Sequence, residues 1–213
     1  MRQTSINFKH KGLSLEGVIS LPDNSHPPFP GVVVCHPHPL FGGDMENGVI
    51  IALCKKLVEI GFGTLRFNFR GVGKSEGTFT NGSEEKEDIK AAINVLKSWP
   101  GINRKRLALV GYSFGASVIL SGLTKLKYVS AIALIAPPVS AVKGSSIIKD
   151  KRHKLILTGE KDKIAPPEQL KKTISDFSTI RLEFLSLPKA DHSLTGHQIQ
   201  AASAVTDFIR RVL

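Results

Sequence analysis

Residues 4–8 and 13–21 alternate apolar and polar positions on either side of His10-Lys11-Gly12, a pattern that predicts an antiparallel hairpin with one wet face. After a Pro-rich turn at 22–30 the pattern changes. Residues 31–35 (Gly-Val-Val-Val-Cys) are wholly apolar and β-branched, as in a strand covered on both faces. Such strands run parallel and need crossovers. Ile50, Leu53, Leu57 and Ile60 recur at helical spacing before Gly61, and Ile89, Ile93 and Leu96 do so before Pro100-Gly101. More strand-like runs fall at 63–69, 106–112, 129–136, 153–158 and 181–187, with helix-like segments after most of them. Repeated βα units joined by right-handed crossovers predict an α/β fold, a doubly wound and mostly parallel sheet with an antiparallel amino-terminal edge. One domain over 1–213 is expected. The stretch 137–151 is the only place for a small insertion.

Composition narrows the class. With 41% hydrophobic and 22% charged residues in 213, the chain can build a core and is neither a disordered basic tail nor a fibre. Cys35 and Cys54 sit inside apolar runs without metal-ligand spacing, so they read as buried free thiols in a reducing compartment. No leader-like apolar segment opens the sequence, and no apolar run approaches the roughly 18 residues of a membrane span. A soluble cytoplasmic protein without a membrane partner, monomeric or homodimeric, is expected.

In such sheets chemistry collects at the carboxyl ends of the strands. Gly111-Tyr112-Ser113-Phe114-Gly115 is a Gly-x-Ser-x-Gly sequence lying directly between an apolar strand and an apolar helix. That turn exposes Ser113 and aims the free N–H groups of the following helix at charge developing beside it. A serine nucleophile needs a base, and the base an orienting acid. Asp162, in the loop after the strand at 153–158, and His192, after the last strand, supply them in the order Ser, Asp, His. Glu160, two residues earlier, and Asp191, beside His192, are the competing acids; Asp162 is preferred.

An oxyanion hole needs two amides. Phe114 N–H follows the nucleophile. The second should come from the loop 36–43, where Pro37 and Pro39 have no N–H and His38 and Leu40 remain. Leu40 is the expected donor, since Pro39 stiffens its approach and Gly42-Gly43 permit a tight return. A metal site built from His36 and His38 with Asp44, Glu46 or His192 is disfavoured, because alternate positions at a strand end diverge. Arg70-Gly-Val-Gly-Lys-Ser75 is no phosphate loop, since Asn68 stands where the first glycine belongs. No cofactor or metal is expected.

These stretches, with Cys-His-Pro-His-Pro-Leu-Phe-Gly-Gly at 35–43, Leu-Arg-Phe-Asn-Phe-Arg-Gly-Val-Gly-Lys-Ser-Glu-Gly at 65–77, Gly-Glu-Lys-Asp at 159–162 and Asp-His at 191–192, resemble the α/β-hydrolase superfamily. Within it the chain is similar to small, lidless bacterial hydrolases related to dienelactone hydrolases and carboxylesterases. The resemblance spans nearly the whole chain. It implies Ser113 as nucleophile, Asp162 as acid, His192 as base, Phe114 and Leu40 as oxyanion donors, and a structural loop at 70–75. Dienelactone hydrolases proper carry cysteine where this chain has Ser113, which argues against that particular substrate.

The segment 137–152 is too short for a multi-helix lid, so a small or exposed acyl ester is the expected substrate, cleaved in carboxylesterase fashion; thioester, lactone or peptide cleavage would use the same residues. The remaining alternative is a non-catalytic binding protein on the same scaffold. A formal charge of +11 invites a nucleic-acid partner. The basic residues are scattered without interleaved aromatics, however, and read as a solvated surface with no nucleic acid bound. Arg70, Lys74, Lys161 and Lys163 lie on loops near the expected site and suggest a preference for anionic esters.

Overall fold

The computed structural model describes residues 1–23, 26–174 and 181–213, with the side chain of residue 148 excepted. The Pro-rich turn expected at 22–30 therefore includes residues 24 and 25, which lie outside the described residues.

The hairpin forms as β1 (Arg2–His10) and β2 (Leu13–Leu21), paired antiparallel from Arg2↔Leu21 to His10↔Leu13. Its two-residue turn puts Lys11 at φ 48° and Gly12 at φ 88°, the left-handed pair whose twist matches that of the flanking strands. The apolar run becomes β3 (Phe29–Cys35), where Val32, Val33 and Val34 are at most 2% exposed. Burying each such side chain contributes about 1.5–3 kcal/mol.

Then follow α1 (Gly48–Glu59), β4 (Gly63–Phe67), α2 (Glu85–Ser98), β5 (Ile102–Tyr112), α3 (Phe114–Gly122), β6 (Ala131–Ile135), α4 (Val139–Lys143), β7 (His153–Gly159), α5 (Pro167–Ile174), β8 (Leu182–Leu187) and α6 (Gln198–Val212). The eight strands form one sheet in the order β1-β2-β4-β3-β5-β6-β7-β8, antiparallel across β1, β2 and β4 and parallel thereafter. The α/β sheet with an antiparallel amino-terminal edge is thus as expected.

Small departures have local causes. β4 stops at Phe67 rather than residue 69; just beyond it the Asn68 amide donates to Glu16 O at 3.0 Å, and its side chain accepts from Met45 N at 2.8 Å and donates to Glu16 Oε1 at 2.8 Å. β6 ends before Ala136, which adopts φ 46°. Ile60 falls outside the α1 core stripe and is 37% exposed, because the helix ends at Glu59. The segment 137–151 holds only the five residues of α4 and a single 3-10 turn, Ile147–Lys149.

Chain direction reverses at β3: the crossover through α1 steps to β4, and the next, through α2, returns past β3 to β5. With right-handed crossovers this puts α1 and α2 on opposite faces of the sheet, where α1 packs against α6 and α2 against α3. A crevice opens where the direction reverses, beyond the carboxyl ends of β3 and β5.

Candidate active site

Ser113 lies at the end of β5, between strand and helix, at φ 51° and ψ −105°. That conformation is costly for a residue with a Cβ, and the packing around it enforces it. A Cβ on Gly115 would stand 2.5 Å from Cys35 O, and one on Gly111 2.6 Å from Ala116 N, so helix and strand approach closely only because both are glycine. Gly115 N–H donates to His36 O at 3.1 Å, and Ser113 N–H to Ile135 O at 2.8 Å, tying the turn to the ends of β3 and β6.

The structure brings Ser113, His192 and Asp162 together. Ser113 Oγ lies 2.9 Å from His192 Nε2, and His192 Nδ1 lies 2.8 Å from Asp162 Oδ2. With Nδ1–H donating to the carboxylate, Nε2 is left to accept the serine proton. Asp162 Oδ1 accepts from Ile164 N (2.8 Å) and Ala165 N (2.7 Å), which locks the buried carboxylate in place. Burial pushes its acidity toward neutral protonation, but the His192 hydrogen bond and these two amides prevail and hold it below the usual carboxylate range. Both competing acids are occupied in loop structure. Glu160 Oε2 accepts from Lys189 N at 2.8 Å, and Asp191 Oδ1 accepts from Ser193 N, Ser193 Oγ and Leu194 N.

Two further groups support the histidine loop and the acid. Tyr112 Oη donates to His192 O at 2.7 Å, and its phenol is raised by burial first and by Asp162 and Asp191 second. Thr158 Oγ1 donates to Ala165 O at 2.6 Å, with Asp162 Oδ2 3.3 Å away. Sequence reading passes over both. Tyr112 is the variable position inside Gly-x-Ser-x-Gly, and nothing in its spacing announces a partner 80 residues away.

The amides of Phe114, at the start of α3, and of His38, in the loop after β3, have no acceptor among the described residues. The Leu40 amide, expected to be free, instead donates to His38 Nδ1 at 3.2 Å, closing the single 3-10 turn Pro39–Phe41, and the Leu40 side chain is 75% exposed. The His38 ring packs between Phe41, Phe79 and Phe114 with centroids 5.1–5.2 Å apart. His36 is buried and has both nitrogens occupied: Nδ1 lies 2.7 Å from Pro37 O, and Nε2 accepts from Phe69 N at 3.1 Å. Burial pushes its imidazole down to about 4, against the opposing pulls of the Pro37 carbonyl and Asp44. It is therefore a neutral strut between the β3 and β4 ends rather than a metal ligand.

The triad opens into a cleft of about 1110 Å³. Phe41, Phe114 and Val118 line an apolar part, while Lys161 and Lys163, flanking Asp162 in sequence, line another, and their ammonium groups have no partner among the described residues. Arg70, by contrast, is 4% exposed and paired with Asp88 and Glu84, so it faces no substrate, and Lys74 does not line the cleft. The loop 70–75 is structural: Ser75 Oγ donates to Asn68 O at 2.8 Å and Lys74 N to Glu16 Oε1 at 2.6 Å.

A family model described as the dienelactone hydrolase family matches residues 15–213. An uncharacterized protein of Rickettsia prowazekii, RP471, is 30% identical over 190 residues, 86% of this chain and 79% of that protein. Among solved structures, an alpha-beta serine hydrolase homologue from Coxiella burnetii superposes with a TM-score of 0.81 at 32% identity, covering 100% of this chain and 99% of that one. XC6422 from Xanthomonas campestris, described as a serine hydrolase without a lid, gives 0.84 at 28% identity over 100% and 95% of the two chains.

Proposed function

The chain belongs to the dienelactone hydrolase family, and from that premise we propose that it cleaves small acyl esters through an acyl-enzyme on Ser113. The observation that carries this reading is the unbroken hydrogen-bonded line from Ser113 Oγ through His192 to Asp162. His192 Nε2 takes the Ser113 proton as Oγ attacks the carbonyl carbon, and Asp162 steadies the imidazolium that forms. The tetrahedral oxyanion is held by Phe114 N–H, at the start of α3, and by His38 N–H. Leu40 is set aside as the second donor because its amide is engaged with the His38 ring.

Collapse of the intermediate expels the alcohol, which takes the proton from His192. A water activated by the same imidazole then releases the acid and restores Ser113. An apolar wall beside the serine and the absence of a helical cap over 137–151 favour acyl groups that are compact or remain accessible to solvent. Serine at position 113 supports this carboxylesterase chemistry over the cysteine-dependent reaction from which the family takes its name.

The test is turnover of short p-nitrophenyl esters by the wild type and by Ser113→Ala. Turnover abolished in a variant that keeps its circular dichroism is the expected result. A wild type inactive on esters, thioesters and lactones alike would overturn the reading.

A further inference from the structure

The basic residues are not spread evenly. At the end of the sheet opposite the cleft, a depression of about 570 Å³ lies before the amino ends of β6, β7 and β8. Lys127, Lys149, Lys151 and Arg181 line it, arriving from the loop after α3, the 3-10 turn, the link between that turn and β7, and the position just before β8. The ammonium groups of Lys127, Lys149 and Lys151 have no hydrogen-bond or ion-pair partner among the described residues, and the Arg181 guanidinium donates to His153 Nε2 at 3.3 Å. That bond leaves the His153 proton on Nδ1, where it is a further donor.

Among the described residues the lining contains one carboxylate, Asp150, and Arg152 consumes it: Arg152 Nε donates to both carboxylate oxygens at 2.9 and 3.0 Å, and Nη2 donates to Leu123 O at 3.0 Å. Beneath lies Lys154, fully buried, whose ammonium donates to Asp150 O (2.5 Å) and Arg152 O (2.7 Å) and to no carboxylate. The rim is thus a rigid frame with a buried positive charge behind it and three unpaired ammonium groups in front. Arg104 and Lys105, at the exposed beginning of the neighbouring β5, extend the same potential.

Clustering like charges around a concavity is unfavourable unless something neutralises them. The excess of cations calls for a multiply charged anion. The confined depression, whose described lining holds no Phe, Tyr or Trp ring for base stacking, suits a compact anion better than a strand of nucleic acid. We propose that this depression is a second ligand site, separate from the catalytic cleft, for a small anion carrying two or more phosphate groups, held by Lys127, Lys149, Lys151 and Arg181.

The test is calorimetric titration of the full chain with inorganic tripolyphosphate, with ADP and with a twelve-nucleotide single-stranded DNA, at low and moderate salt. One tripolyphosphate per chain is expected. Its affinity should fall at least tenfold in Lys149→Glu/Lys151→Glu and several-fold in Arg181→Gln, and remain unchanged in the control Lys55→Glu/Lys56→Glu on α1, with ester turnover unaltered in all three. ADP binding at the same stoichiometry and with the same sensitivity marks a nucleotide as the source of the phosphates, whereas tripolyphosphate binding alone marks inorganic polyphosphate. The proposal is overturned if tripolyphosphate fails to bind at low salt. It is also overturned if the control variant loses as much affinity as the others, or if the oligonucleotide binds while tripolyphosphate does not.

Discussion

The hydroxyl of Tyr112 donates to the backbone oxygen of His192 across a 2.7 Å hydrogen bond, so the residue just before Ser113 holds the loop that carries His192. The bond links β5 to the segment after β8, two elements that are not neighbours in the sheet. Removing it in Tyr112→Phe keeps the ring and frees the loop. A net contribution of about 1 kcal/mol predicts a roughly fivefold drop in kcat with KM little changed. Steady-state kinetics on a short ester checks this; a drop confined to KM would mean that the bond shapes the cleft rather than the base.

The two amides proposed to hold the oxyanion can be tested separately by replacing single peptide bonds with esters. Exchange at Phe114 should cost about 10²–10³ in kcat, the usual effect of losing one preorganised donor, and exchange at His38 a similar amount. At Leu40 the lost partner is only the His38 ring, so kcat should stay within about threefold. Semisynthetic protein assayed on one ester provides the comparison.

His36 makes stability depend on pH. Its folded value of about 4 lies below the 6.5 of the unfolded chain, so between these values the unfolded state binds more protons. Stability is complete above about pH 6.5 and declines as pH falls toward 4, by about 3 kcal/mol in total. Urea titrations across this window should show the decline in the wild type and a much shallower one in His36→Asn, which is less stable at neutral pH. Asp162 acts in the same direction at lower pH: its folded value is depressed, so its contribution is present above the unfolded carboxylate range and is lost as pH falls through the lower, folded value.

Lys161 and Lys163 present unpaired charge to the cleft. Reversing both to glutamate should lower kcat/KM about tenfold for an ester with a carboxylate in its acyl chain, and less than twofold for the neutral analogue. The difference should shrink when salt shortens the Debye length from about 10 Å at 0.1 M to about 3 Å at 1 M. Equal losses on both substrates would trace the effect to a displaced Asp162 loop.

The fold was legible wherever the pattern had one cause. Val32 to Val34 announced a doubly covered strand, and Lys11-Gly12 a tight hairpin, because burial and backbone sterics act locally. Ser113, Asp162 and His192 stood out because each follows a strand, and parallel strands all present their carboxyl ends along one edge of the sheet. What escaped depends on distant geometry. The Leu40 amide looked available until the fold brought the His38 ring to it at 3.2 Å, and Arg70 looked like a cation beside the site until Asp88 met it from α2. The charge likewise looked dispersed in the sequence, since Lys127, the Lys149–Lys151 segment and Arg181 come from three separate stretches of chain that only the sheet gathers at one end.

The central claim is a covalent intermediate on Ser113. Mixing the wild type with excess p-nitrophenyl acetate, quenching in acid within the first turnover and sequencing peptides by mass spectrometry tests it directly. The account predicts a burst of p-nitrophenol approaching one per chain and an acetyl group on Ser113, both absent in Ser113→Ala. Full turnover with Ser113 unmodified, or undiminished in Ser113→Ala, would contradict it.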